Sequence, residues 1–231
     1  MPGDAIFEST FGAARAAFDR TKSLRLADET TEHEFTRGRA QYLAFLVRIE
    51  GAAAQQYIAA MQKRLDGIPG VEPYPEDYWH VSVKGGGFQV IKRSLPDDVL
   101  REDVPRIAGD ARRLLFGQRA FEAKLGAMAG FPEVVFIEVH DGGRIRELNT
   151  LLTKGLPNVP RYPIDAGVFL PHVSIARFTS NDGLPQLREA IASHRDDAEG
   201  PTVLVRRIEF VKVWLSEQTP EFQTLASYNL S

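Results

Sequence analysis

The chain has 231 residues, with 28 Lys and Arg against 31 Asp and Glu and no cysteine. That length suits one ordinary domain or two small lobes sharing a core, and a hydrophobic share of 43% excludes disorder of the whole chain. A net charge of −3 excludes coating of nucleic acid by bulk charge, and the missing thiols exclude disulfides, thiolate nucleophiles and thiolate metal sites.

Phe7, Phe11, Ala14 and Phe18 recur at helical spacing and predict an amphipathic helix over 5–27. Acids stand among its bases, unlike a transit peptide, and no basic patch precedes an apolar stretch, so a cytoplasmic protein is expected. Residues 28–39 are polar and predict a linker. The apolar run at 42–49 predicts a buried strand, and 52–65 a helix. The longest apolar runs, 42–47 and 134–137, are far too short to span a membrane. After a stretch broken by Gly67, Pro69, Gly70, Pro73 and Pro75 comes a strand over 79–84, which Gly85-Gly86-Gly87 is expected to end. A helix over 97–116 and a strand over 120–125 follow.

The same order then returns: a strand over 133–140, a helix over 144–154 with Ile145, Leu148, Leu151 and Leu152 on one face, a proline-broken loop, a strand over 171–177 and a helix over 184–194. Residues 202–215 and 222–230 read as a closing hairpin turned around Glu217–Pro220. Elements of the two halves repeat at offsets of 90 to 92 residues. Self-similarity at one offset points to a duplicated α+β domain of two intertwined lobes, about 41–130 and 131–231. They would be related by a pseudo-twofold axis, with antiparallel or mixed sheets flanking a central cleft, helices outside, and residues 1–40 as an appended helix and linker.

One tetrapeptide recurs inside the repeat: His80-Val81-Ser82-Val83 and His172-Val173-Ser174-Ile175. In a strand, residues i and i+2 share a face roughly 6.5–7 Å apart. His80 and Ser82 therefore share one face, with Lys84 next in line, and His172 shares one with Ser174. If the pseudo-twofold brings the strands together, two imidazoles and two hydroxyls converge. Such a group suits a phosphodiester: one imidazole takes a proton from the nucleophile, the other gives one to the leaving oxygen, and the hydroxyls bond the non-bridging oxygens.

These residues, as Trp79-His-Val-Ser-Val83 and Pro171-His-Val-Ser-Ile-Ala-Arg177, resemble the paired motif of the two-histidine (2H) phosphoesterase superfamily, near its 2′-5′ RNA ligase and cyclic phosphodiesterase branch. Residues 121–132 and 206–230 are similar to the family's connection between halves and its terminal hairpin, so the likeness covers about 41–231. The resemblance implies a metal-independent reaction, without a cofactor, on cyclic or 2′-5′ phosphodiesters of small nucleotides or RNA ends. It implies catalytic roles for His80 and His172 and phosphate contacts from Ser82 and Ser174. No membrane or DNA partner is expected, and the chain reads as a monomer.

Other residues carry weaker readings. Lys84 is either a phosphate contact or a solvated strand end. Arg177 follows the second motif as in many relatives, although strict alternation from His172 points it to the other face. Tyr162 and Phe169 precede His172 and could stack on a base, with ordinary packing favoured for Phe169. Trp79 should be core, and His33, His140 and His194 should lie at the surface or at strand ends. The triple glycine lacks the spacing of a nucleotide-binding P-loop and is either a flexible loop or a phosphate cradle. A metal site and a non-catalytic nucleotide- or RNA-binding module are the rival readings of the paired motif.

Overall fold

The strand at 41–48 is apolar on both sides because both of its faces are covered. Leu43, Phe45 and Val47 are buried on one face and Ala44 and Leu46 on the other. Strands of this kind build the centre of the structure, a computed structural model that describes residues 2–165, 169–195, 199–215 and 220–231. The strands are β1 (Gln41–Arg48), β2 (Val71–Pro73), β3 (His80–Val90), β4 (Asp98–Leu100), β5 (Phe121–Gly130), β6 (Val134–His140), β7 (His172–Phe178), β8 (Thr202–Val205), β9 (Arg207–Trp214) and β10 (Glu221–Asn229). They form one sheet in the order β10-β9-β1-β3-β7-β6-β5-β8, with β2 added to β7 and β4 to β3. Among the described residues only β3 and β4 pair in parallel.

The expected α+β architecture is present, with the sheets of the two halves fused into one curled half-barrel. β3 and β7, which carry the paired motif, meet at its middle through Val81 opposite Val173. The halves exchange strands. β5, early in sequence, lies beyond β6, and β9, late in sequence, lies beyond β1.

Helices α3 (Ala52–Lys63), α4 (Val104–Leu115), α5 (Arg144–Gly155) and α6 (Leu184–Ala192) cover the outer face. Their buried residues recur at turn spacing, as in Ile145, Leu148, Asn149 and Leu152 of α5. Buried Asp141 caps α5 by accepting the Gly143 and Ile145 amides at 3.0 and 2.5 Å. No helix of the described residues is long and apolar enough to cross a membrane.

Several elements differ from expectation. The predicted N-terminal helix ends early, as α1 (Pro2–Arg20), and the side chain of Phe7 lies outside the description. The predicted linker contains α2 (Glu29–Thr36), started by Asp28, whose carboxylate accepts the Thr31 amide at 2.8 Å. The helix expected over 97–116 starts only at Val104, with Pro105 in its first turn. Ahead of it, Asp98 accepts the Ser94 and Leu95 amides, and β4 pairs with β3. The single strand expected over 202–215 is split at Arg206 into β8, which pairs with β5, and β9, which pairs with β1 and β10. The hairpin turn expected at 217–220 lies, apart from Pro220, outside the described residues.

Candidate active site

The antiparallel register at Val81 and Val173 fixes the geometry of the site. It sets Ser82 across from His172 and Ser174 across from His80, while both valines point into the core. Two imidazoles and two hydroxyls thus share the concave face of the sheet at its centre. Each imidazole is held in the same way. His80 Nδ1 lies 2.6 Å from the Tyr78 carbonyl oxygen, and His172 Nδ1 lies 2.7 Å from that of Leu170. A carbonyl only accepts, so each Nδ1 carries the proton and each Nε2 is left for a ligand. Aromatic rings fix both planes: Tyr78 and Phe222 lie 5.2 and 5.1 Å from His80, and Phe131 and Phe136 lie 5.3 and 5.2 Å from His172. Neither serine hydroxyl is engaged by another group among the described residues, and both serines lie on the face of the sheet that carries the imidazoles.

Burial pushes His80 down to about 4, and the Arg48 guanidinium and the His172 ring add to the shift against the Tyr78 carbonyl. His172 is lowered as well, by burial, against the Leu170 carbonyl. Both imidazoles are therefore neutral near neutral pH. A phosphodiester anion between them favours protonation of either ring, so binding itself can supply the acid.

A bulge behind each serine decides what lies next along the strands. Val83 is unpaired between Ser82 and Lys84, and Ile175 is unpaired between Ser174 and Ala176. The alternation slips by one at the same place in both copies. Lys84 therefore does not share the face of His80, as strict alternation implied, but joins Val83 beneath the sheet. There its ammonium donates to Asp165 at 2.7 Å and to the carbonyls of Pro160 and Gly85 at 2.7 and 3.0 Å, with both ionic side chains buried. It is neither a solvated strand end nor a group facing the two histidines. Asp165 also accepts from Asn149 and from the Tyr162 amide, so the cluster anchors the loop before β7.

The same slip brings Arg177 back to the face of His172, against the strict-alternation reading. Its guanidinium donates to Glu72 at 2.9 and 3.0 Å. Tyr162 packs on Gly85 and lies 5.2 Å from the Lys84 ammonium. Phe169 is buried in the main core, which removes it as a base-stacking surface, and Trp79 is core as expected. The triple glycine neither ends the strand nor forms a loop or cradle. β3 runs through it to Val90, and the missing side chains admit Tyr42, Leu43 and Pro160.

Two charged neighbours escaped the sequence reading because cross-strand register is not written in it. Arg48 of β1 stands opposite His80, and Glu138 of β6 stands opposite His172. Arg48 donates to the Asp77 carbonyl at 2.9 Å, and its guanidinium lies 4.5 Å over the Phe222 ring. Glu138 is buried and accepts from Arg15 of α1. His140 ends β6, as expected of a strand-end residue, and its Nε2 lies 3.2 Å from Glu138. Among the described residues no three His, Asp or Glu side chains are grouped as metal ligands would be.

Residues 50–213 match the model of the 2′-5′ RNA ligase superfamily. The chain belongs to that family. Its fold is similar to that of E. coli LigT, in a crystal structure with 3′-AMP, with a TM-score of 0.62 and 17% identity over 83% of this chain and 99% of LigT. It is also similar to TT0787 of Thermus thermophilus, with a TM-score of 0.58 and 18% identity over 82% of this chain and 97% of that one. A conserved protein of Agrobacterium tumefaciens, ATU0111, gives a TM-score of 0.61 and 15% identity over 81% of this chain and 85% of that one. No curated protein matches in sequence.

Proposed function

We propose that this protein is a metal-independent phosphodiesterase that hydrolyses 2′,3′-cyclic or 2′-5′ phosphodiester bonds in small nucleotides or RNA ends. The observation that carries the reading is that His80, Ser82, His172 and Ser174 share one face of two paired strands, with each Nδ1 held by a carbonyl and each Nε2 left for a ligand. One imidazole takes a proton from water as its oxygen bonds to phosphorus. The other gives a proton to the ribose oxygen as the P–O bond breaks, so protons balance over the turnover. Ser82 and Ser174 donate to the non-bridging oxygens, where charge grows. Solved complexes of E. coli LigT with 3′-AMP, NADP+ and ATP support a small nucleotide as ligand.

The test is a screen of the purified protein against 2′,3′-cyclic nucleotides, ADP-ribose 1″,2″-cyclic phosphate and 2′-5′ dinucleotides, with and without EDTA. Turnover that survives EDTA and falls about 10²–10⁴-fold in His80→Ala and in His172→Ala is the expected result. A nucleotide held intact would mark a binding module instead. Loss in EDTA restored by zinc or manganese would mark a metal enzyme.

A further inference from the structure

α1 lies on the concave face over β5 and β6, beside His172. Phe11 is fully buried against Phe136 and His140, at ring distances of 6.4 and 5.2 Å. Arg15 donates to both oxygens of Glu138, at 2.7 and 2.5 Å. Phe18 covers Gly130, where a Cβ would fall 2.6 Å from its ring. Phe136 is the ring packed on His172, and Glu138 is the residue across from it. The helix therefore stands on the ground next to that imidazole.

The chain then passes the ends of β6 and β7, with Leu24 and Leu26 against the main core. The Arg25 and Ala27 amides donate to the Pro132 and Phe178 carbonyls, each at 2.7 Å. α2 lands on the opposite half, with Phe35 at 5.6 Å from Tyr42 and 5.2 Å from Phe88. Between α2 and the sheet remains a cavity of about 360 Å³, bordered by Phe35, Tyr74, Glu133 and Arg177. That is near the lower end of small-molecule sites, roughly 300–1,000 Å³. The family match begins at residue 50, and LigT and TT0787 are covered over 99% and 97% of their lengths by 83% and 82% of this chain, so the remainder of this chain has no counterpart in them.

We infer that residues 1–40 restrict the site to a cyclic phosphate of a single nucleotide, free or at the end of a strand, and exclude an internal 2′-5′ linkage. This rests on the phosphodiesterase reading above. In an in-line displacement the entering and leaving oxygens lie on opposite sides of phosphorus, one beside each imidazole. Opening a cyclic phosphate with water needs room for a nucleoside on one side only. An internal linkage carries a nucleoside on each side, and the one beside His172 comes against Phe136 and Glu138, the two β6 residues that α1 covers. Arg15 and Phe11 thereby act as specificity-determining residues that touch no reacting atom.

The experiment compares kcat/KM for a 2′,3′-cyclic mononucleotide with that for the middle bond of a 2′-5′-linked tetranucleotide, in the wild type, Arg15→Ala and Phe11→Ala. The wild type should favour the cyclic substrate by about 100-fold or more, and each variant should raise cleavage of the internal bond by about tenfold while leaving the cyclic substrate within about threefold. Phe11→Leu keeps an apolar side chain and the Arg15–Glu138 pair, and so serves if Phe11→Ala or Arg15→Ala fails to fold. Cleavage of both substrates at like rates by the wild type would overturn this inference alone, as would folded variants with unchanged selectivity. Cleavage of neither by the wild type would overturn the phosphodiesterase reading with it.

Discussion

At the scale of single residues, strand alternation carried the sequence as far as the first bulge. His80 with Ser82 and His172 with Ser174 were legible because i and i+2 share a face, and that face is where the structure puts them. Beyond Ser82 and Ser174 alternation failed, because no residue type announces that Val83 or Ile175 will be left unpaired. Lys84 consequently sits in a buried ion pair with Asp165. Removing one partner of such a pair leaves the other charge buried and uncompensated, at a cost of about 3–5 kcal/mol. Lys84→Ala should lose stability on that scale in urea unfolding, while its KM for a cyclic nucleotide stays within about twofold of the wild type. A large rise in KM without loss of stability would restore the phosphate-contact reading. Ser82→Ala and Ser174→Ala should behave in the opposite way. Each is a half-buried hydroxyl on the open face, so stability should hold while turnover falls about 10- to 1,000-fold.

At the scale of elements, long periodic segments were legible and their ends were not. α5 follows its apolar spacing, whereas the segment expected as one helix over 97–116 opens with β4, because Asp98 ties down the Ser94 and Leu95 amides and β3 offers it an edge. The triple glycine misled for a related reason. Glycine breaks strands when it is free to turn, but here it lets other backbone and rings come close. A Cβ on Gly87, whose φ is +93°, would lie 2.6 Å from Pro160 and 2.7 Å from the Asp97 carbonyl oxygen. Gly87→Ala should therefore cost more than the roughly 1–2 kcal/mol of the left-handed backbone alone. Gly12 in α1 is the control, since a Cβ there meets nothing within 4 Å. Gly12→Ala should stabilise by about 0.5–1 kcal/mol through helix propensity. Equal loss in both variants would mean that crowding at β3 is not what selects glycine there.

At the scale of the whole molecule, the duplication was legible from the 92-residue offset of the two histidines, but the fusion of both halves through Val81 and Val173 was not. That fusion has a consequence for stability, because it half-buries two imidazoles together. His80 titrates near 6.5 in the unfolded chain and about 4 in the fold. Between those values the unfolded chain holds a proton that the folded site refuses, so acidification favours unfolding. The contribution is fully present above about pH 6.5 and is lost as pH falls toward about 4, and His172, also lowered, acts in the same sense. The urea midpoint of the wild type should drop between pH 7 and pH 4.5, and the drop should be smaller in His80→Asn and smaller again in the double Asn variant. Inorganic phosphate at pH 5 should recover part of the loss in the wild type only, since an anion between the rings raises both toward their unfolded values and removes the difference that drives the effect. Parallel curves for the wild type and the double variant would show that the fold does not hold these rings neutral, and the phosphate-supplied acid would go with it.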